Sequence, residues 1–373
     1  MLALIRSEAA FIVAAATTLV MYTVGEGWFY DLSDPLIFTG LFIWIFGAMI
    51  WSAFAAVGHA DELAEILGEP YGTLILTISV ISIEVAVISA VMLTGQASPE
   101  LARDTMLAVL MIVLNGMVGL SLLIGGARYG EQEYNLQGAR AFLAVLVTLA
   151  TITLILPRFT TSTADPSLDT MQSILFSIAT VALYGTFLAI QTVRHRGYFV
   201  DPAPSVGAAV VPAEAVHHHT PSGRGAAFHA VFLVLTLVPI VLLSKKLATL
   251  IDAGIVALAA PVALGGVLIA LLVLAPEGLA AFRAANANSL QRAVNICLGS
   301  ALATISLTVP AVIVIGLVTD THVILGLDNT DMVLLTVTLI LSLMTFGGAR
   351  TSVLQGAVHL VLFFVYIVLI FDP

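Results

Sequence analysis

Thr77-Ile78-Ser79-Val80-Ile81-Ser82-Ile83-Glu84-Val85-Ala86-Val87 and Leu271-Leu272-Val273-Leu274-Ala275-Pro276-Glu277-Gly278-Leu279 are apolar runs, each interrupted by one acid. Both belong to stretches long enough to cross a bilayer. An ionised acid at the bilayer centre costs about 2.5–3.5 kcal/mol on insertion scales. A chain that places one such acid in each half therefore points to joint use of the two, and the fold is read outward from them.

The composition around these runs is that of an integral membrane protein. Of 373 residues, 60% are hydrophobic and only 10% charged, where a soluble domain carries about 25% charged residues. Mean hydropathy is +1.09. The net charge of −10 lies largely in short connections, and no basic cluster argues for nucleic acid. Cys297 is the single cysteine, so the chain has no intramolecular disulfide and no thiolate metal motif. The first residues, with Arg6 alone positive, make a poor signal-peptide start, and the run that follows is read as a retained span.

A helix needs about 20 apolar residues to cross the hydrocarbon layer. By that standard eleven spans are expected, at 8–24, 36–57, 72–93, 105–126, 137–157, 171–193, 227–250, 255–282, 290–318, 330–347 and 352–371. The 255–282 run is too long for one straight span, which predicts a tilt or a break near Gly265-Gly266 or Pro276. Positive charge sets the orientation. With the N-terminus cytoplasmic, Arg6, Arg128, Arg140, Arg194, Arg196, Arg224, Arg283, Arg292 and Arg350 fall inside, against Arg103, Arg158, Lys245 and Lys246 outside. The expected location is the cell inner (plasma) membrane, multi-pass, with the linker cytoplasmic and the C-terminus outside.

The longest connection, 194–226, holds Asp201-Pro202-Ala203-Pro204 and the triplet His217-His218-His219. It reads as a flexible linker with solvated histidines, pH sensing or metal binding being the alternative for the triplet. The organisation expected is thus an N-terminal helix (1–35), a first five-span repeat (36–193), the linker and a second repeat (227–373). An odd span count makes the repeats enter the membrane from opposite sides. Gly72 precedes Glu84, and Gly265 precedes Glu277, by the same interval, and 111–116 can be laid on 295–300. The fold class is all-α integral membrane with two inverted repeats, a recurring plan of secondary transporters whose site lies between the repeats near the midplane.

The chemistry follows from the acids' surroundings. Thr73 and Thr77 lie near the helical face of Glu84. Pro276 cannot donate to the carbonyl of Leu272, which leaves an oxygen free beside Glu277. Asn115, Gly116 and Gly119 on the fourth span and Asn295, Gly299, Ser300 and Thr304 on the ninth supply amides, hydroxyls and close approaches. Carboxylates with neutral oxygens, and no nitrogen or sulfur donors, suit a hard cation. Calcium takes 6–8 oxygens in flexible geometry, and two carboxylates match its charge. Without the cation, desolvation and mutual repulsion favour protonation of the pair. Cation and protons then compete for Glu84 and Glu277. The acidic stretch Gly58–Glu69 reads as a short helix at the cytoplasmic surface leading into the third span, which either concentrates cations at the pathway mouth or is an ordinary solvated turn. Asp104, Asp252, Asp320, Asp328 and Asp331 read as boundary residues.

Residues Gly68-Glu69-Pro70-Tyr71-Gly72-Thr73 running on to Ile83-Glu84-Val85 resemble the first repeat of bacterial Ca²⁺/H⁺ antiporters of the ChaA type, within the cation/calcium exchanger superfamily. Ala275-Pro276-Glu277-Gly278-Leu279 followed by Asn295–Thr304, and Gly347–Leu360 near the C-terminus, are similar to later parts of the same family. The resemblance implies an eleven-span exchanger in which Glu84 and Glu277 bind the cation and trade it for protons. Gly299-Ser300 matches the family's Gly-Ser element; Asn115-Gly116 departs from it. The acidic helix of many relatives is missing from the linker, which puts regulation by calcium through that loop in doubt.

The expected function is therefore cation/proton antiport, most simply of Ca²⁺, with Na⁺ or K⁺ as alternative substrates. No cofactor is called for beyond the transported ions, and the partners are inorganic cations, protons and lipid, with the oligomeric state open. A channel is disfavoured by the inverted duplication and the lack of a repeated pore loop. An enzyme is disfavoured because His59, His195, His229, His322 and His359 show no metal or nucleophile spacing.

Overall fold

The computed structural model describes residues 7–68, 71–92, 99–200 and 224–372. The His217–His219 triplet and the rest of 201–223 lie outside the described residues, as does the side chain of Thr73. Eleven apolar helices occur among the described residues. They are α1 (Ala9–Thr23), α2 (Pro35–Leu67), α3 (Tyr71–Met92), α4 (Leu101–Tyr129), α5 (Leu136–Arg158), α6 (Thr170–Arg194), α7 (Ala226–Leu258), α8 (Ala263–Asn286), α9 (Leu290–Thr319), α10 (Asn329–Thr345) and α11 (Val353–Phe371). Eight are long and apolar enough to span a membrane, and α1, α10 and the part of α3 from Thr77 are shorter apolar helices. One departure from an all-helical chain is a short antiparallel pair, β1 (Glu131–Glu133) with β2 (Arg350–Ser352), in register Gln132 opposite Thr351.

Local chemistry starts the helices. Asp34 accepts from the amides of Leu36 and Ile37 ahead of Pro35, whose missing N–H costs nothing at the first position. Asp169 and Gln172 close a capping box on α6. The helix interiors are apolar nearly all round, as expected where lipid replaces water on one side. Exposed side chains such as Leu36, Val256, Met344 and Phe364 face outward, whereas α4 is the most deeply enclosed span.

Two expectations change. The break foreseen near Gly265-Gly266 or Pro276 falls earlier, at Ala259, whose φ of 49° is left-handed and ends α7. Residues 255–258 thereby complete α7, and Asp252 lies inside that helix and not between spans. The glycines serve close approach: a Cβ on Gly266 would stand 2.9 Å from the backbone nitrogen of Thr105 on α4. Likewise, Gly58–Leu67 continues α2 as unbroken helix instead of forming a separate acidic one.

Contacts at the helix ends show which ends share a face. On the arginine-rich face, Arg128 donates to Asn286, Arg140 to the Gly347 carbonyl, and β1 pairs with β2. On the opposite face Arg103 meets Asp104, Asp328 and the Gly326 carbonyl, and the Ile324 amide donates to Pro99. Packing crosses the halves throughout: α2 lies along α7, α8 against α4 and α2, α3 against α7, and α11 against α4.

Candidate functional site

Glu84 stands in the second half of α3 and is 2% exposed. Glu277 follows Pro276 within α8 and is half-buried. The two carboxylates are near enough that Glu277 acts electrostatically on Glu84. A single helix serves both. Ser300 Oγ of α9 donates to Glu277 Oε2 at 2.5 Å, and Thr304 Oγ1, one turn on, donates to Glu84 Oε2 at 2.8 Å. Residues at i and i+4 share a helical face, so the spacing alone directs two hydroxyls to two acids. Over Thr304–Thr308 the helix widens into a π turn, a feature frequent at functional sites.

Two oxygens here retain bonding capacity. Thr308 approaches the Glu84 carboxylate without closing a hydrogen bond, and Glu84 Oε1 and Thr308 Oγ1 are both buried without a partner. Buried polar atoms in this condition are rare. Oxygens of a carboxylate and a hydroxyl are the donors a hard cation prefers. Among the described residues no group of three or more His, Cys, Asp or Glu side chains is arranged to hold a metal ion. The polar groups gathered here are two carboxylates and the hydroxyls of Ser300, Thr304 and Thr308.

Several residues expected at this site are placed elsewhere. Asn115 lies on the π turn of α4, Ile112–Met117, and its side chain is spent on α10 and α11. Its Nδ2 donates to Thr338 at 2.9 Å and its Oδ1 faces His359 Nδ1 at 3.1 Å. Gly116 presents its Cα to the ring of Phe363, and Gly299 to Phe142. Asn295 donates to the Phe199 carbonyl and accepts from Gln291 at the arginine-rich end. Thr77 meets Tyr184 of α6. Gly119 abuts His359 and the Gly356 carbonyl, at a close crossing of α4 and α11. Of the supporting residues expected from sequence, Ser300 and Thr304 are brought to the acids.

Thr308 is the addition beside the acids, and Asp61 acts on Glu277 from outside the cluster. Thr308 extends the Ser300, Thr304 series by four residues, a spacing visible in the sequence. Asp61, exposed near the end of α2, acts electrostatically on Glu277. No spacing announces this, because α2 and α8 belong to different halves. The scattered histidines are also partly gathered: His59 and His229 meet at 3.2 Å between their Nδ1 atoms, and His59 Nε2 contacts Glu8, which Arg224 also binds. That cluster joins the starts of α1 and α7 to α2.

With this geometry in view, the comparison with known proteins is decisive. The family model described as sodium/calcium exchanger protein matches residues 37–193 and 228–371. The chain belongs to this family. The exchanger is 44% identical to y4hA of Sinorhizobium fredii over 324 residues, covering 87% of this chain and 86% of that protein. It is 42% identical over 320 residues to the sodium-potassium/proton antiporter ChaA of Escherichia coli, covering 86% of each. Its fold is that of native YfkE, with a TM-score of 0.74 at 17% identity over 98% of this chain and 100% of the other. The exchanger is a multi-pass membrane protein, and its relatives are transporters, not enzymes.

Proposed function

We propose that the protein is a secondary cation/proton antiporter of the plasma membrane in which Glu84 and Glu277 form one exchange site. The observation that carries this reading is α9, which offers Ser300 to one carboxylate and Thr304 to the other while a Glu84 oxygen stays unbonded. Two carboxylates so close in a low-dielectric interior cannot both hold charge cheaply. A divalent cation neutralises both, and so do protons, so each species displaces the other by mass action. Exchange requires only that the site reach one face at a time.

Calcium is the substrate proposed first, since its charge matches the two acids and its coordination tolerates hydroxyl and carbonyl oxygens in irregular array. Na⁺ and K⁺ are the alternative, favoured by the name of the 42% identical ChaA, a sodium-potassium/proton antiporter. The arginine-rich face is assigned to the cytoplasm by the excess of positive charge there, which places the N-terminus and the 194–226 linker inside and the C-terminus outside.

The test is collapse of an imposed pH gradient in proteoliposomes on addition of Ca²⁺, Na⁺ or K⁺. Proton movement strictly dependent on one of these cations is expected, and its loss in Glu84→Gln and Glu277→Gln. Cation flux without proton counterflow would point to a channel, and exchange at the unmodified rate in either variant would refute the shared site.

A further inference from the structure

The two longest helices carry an internal correspondence that involves neither glutamate. Both α2 and α7 have 33 residues. Asp61 and Asp252 each stand 26 residues after the first residue of their helix and six before the last. The helices run in opposite directions, so Asp61 lies toward the arginine-rich face and Asp252 toward the other. Each packs against the glutamate-bearing helix of the other half, α2 on α8 and α7 on α3.

The two aspartates nonetheless have different surroundings. Asp61 is exposed and acts on Glu277. Asp252 is half-buried and lines a cavity with Val91 of α3, Leu101 of α4, and Ile251, Gly265 and Ile269 of α7 and α8. Glu84, the carboxylate on the helix beside it, is sealed at 2% exposure. The charged groups acting on Glu84 and Glu277 thus include Asp61 and not Asp252.

We propose that Asp61 and Asp252 are a matched pair of mouth residues: Asp61 gathers the transported cation toward Glu277 from the arginine-rich face, and Asp252 does the same toward Glu84 from the opposite face when that side opens. The inference rests on the antiport reading above. A carboxylate at a narrow, low-dielectric mouth raises the local cation concentration without binding the ion at the site. The two are positioning residues, and each should govern the apparent affinity on its own face alone. Of the two glutamates, Glu277 is half-buried and Glu84 is sealed.

The experiment measures cation-driven proton movement in vesicles of both orientations, with whichever of Ca²⁺, Na⁺ and K⁺ the unmodified protein carries. Asp61→Asn should raise the half-saturating cation concentration about tenfold, the low end of what a focusing field supplies, at the arginine-rich face only. Asp252→Asn should do so at the other face only. Maximal rates should stay close to unmodified, the shifts should shrink at high ionic strength, and Asp252→Glu should restore affinity. Should Asp252→Asn fail to insert, Asp252→Ser against Asp252→Glu makes the same comparison of charge. Shifts on both faces, on the wrong face, or for one aspartate alone would overturn the pairing. Absence of any cation-coupled proton movement in the unmodified protein would instead defeat the antiport reading.

Discussion

The third helices of the two halves, α4 and α9, occupy corresponding places and both contain a π turn, at Ile112–Met117 and Thr304–Thr308. Their polar side chains point in opposite functional directions. On α9, Ser300 and Thr304 reach inward to Glu277 and Glu84. On α4, Asn115 reaches to Thr338 and His359, and His359 in turn to Thr345. The two helices share a wide turn and differ in what their polar side chains bind. One helix furnishes hydroxyls to the two acids of the proposed exchange site, and the other fastens α10 and α11 to the centre of the protein. A hydroxyl has one short reach and must sit beside its acceptor, whereas an amide can satisfy two partners and tie helices together.

The largest effect expected from breaking this arrangement is loss of an acid. Glu84→Gln or Glu277→Gln should lower cation-dependent collapse of a pH gradient by at least about a hundredfold, because the remaining carboxylate cannot match two charges. Next come the hydroxyls of α9. Hydrogen bonds to charged groups contribute about 1.5–3 kcal/mol, so Ser300→Ala and Thr304→Val should each weaken apparent cation affinity about tenfold or more, read from the half-saturating concentration in proteoliposomes. If α4 is the fastening helix, Asn115→Ala should lower stability by about 1–2 kcal/mol in thermal unfolding in detergent while leaving that concentration within about twofold. A tenfold change in affinity there would erase the contrast between the two helices. The smallest effect belongs to Gly116→Ser, which restores to α4 the residue type that α9 has at Ser300. Its Cβ would meet Phe363 at 3.6 Å, an ordinary contact, and its hydroxyl would lie on the α11 side. Transport should be unchanged within about twofold in the same assay.

This contrast also explains which parts of the site were legible beforehand. Glu84 and Glu277 are conspicuous because ionisable residues in apolar runs are costly and rare. Ser300 and Thr304 could be named because they lie one turn apart on a single helix, and helical periodicity is a property of the chain alone. Asn115 and Asn295 were equally visible as polar residues in apolar helices. Rotation about the helix axis turned them elsewhere, Asn115 to His359 and Asn295 to the Phe199 carbonyl. The wide turn of α4 alters that rotation at Asn115, whereas Asn295 lies on regular helix ahead of the turn of α9, and nothing in local composition distinguishes a π turn from continuous α-helix. Glycine patterns misled in a similar way: Gly265-Gly266 looked like a hinge and is instead a contact between α8 and α4.

Sequence by itself determined the eleven apolar helices, the two acids that break them and the opposed entry of the halves, since bilayer thickness and the cost of buried charge act on each segment separately. Tertiary structure decided which oxygens meet those acids. It turned α9 and not α4 toward them, brought Asp61 of one half to Glu277 of the other, and enclosed Glu84. Those outcomes depend on the relative rotation and depth of helices far apart in the chain. Such variables are set by packing across the whole bundle, where every neighbour constrains the rest.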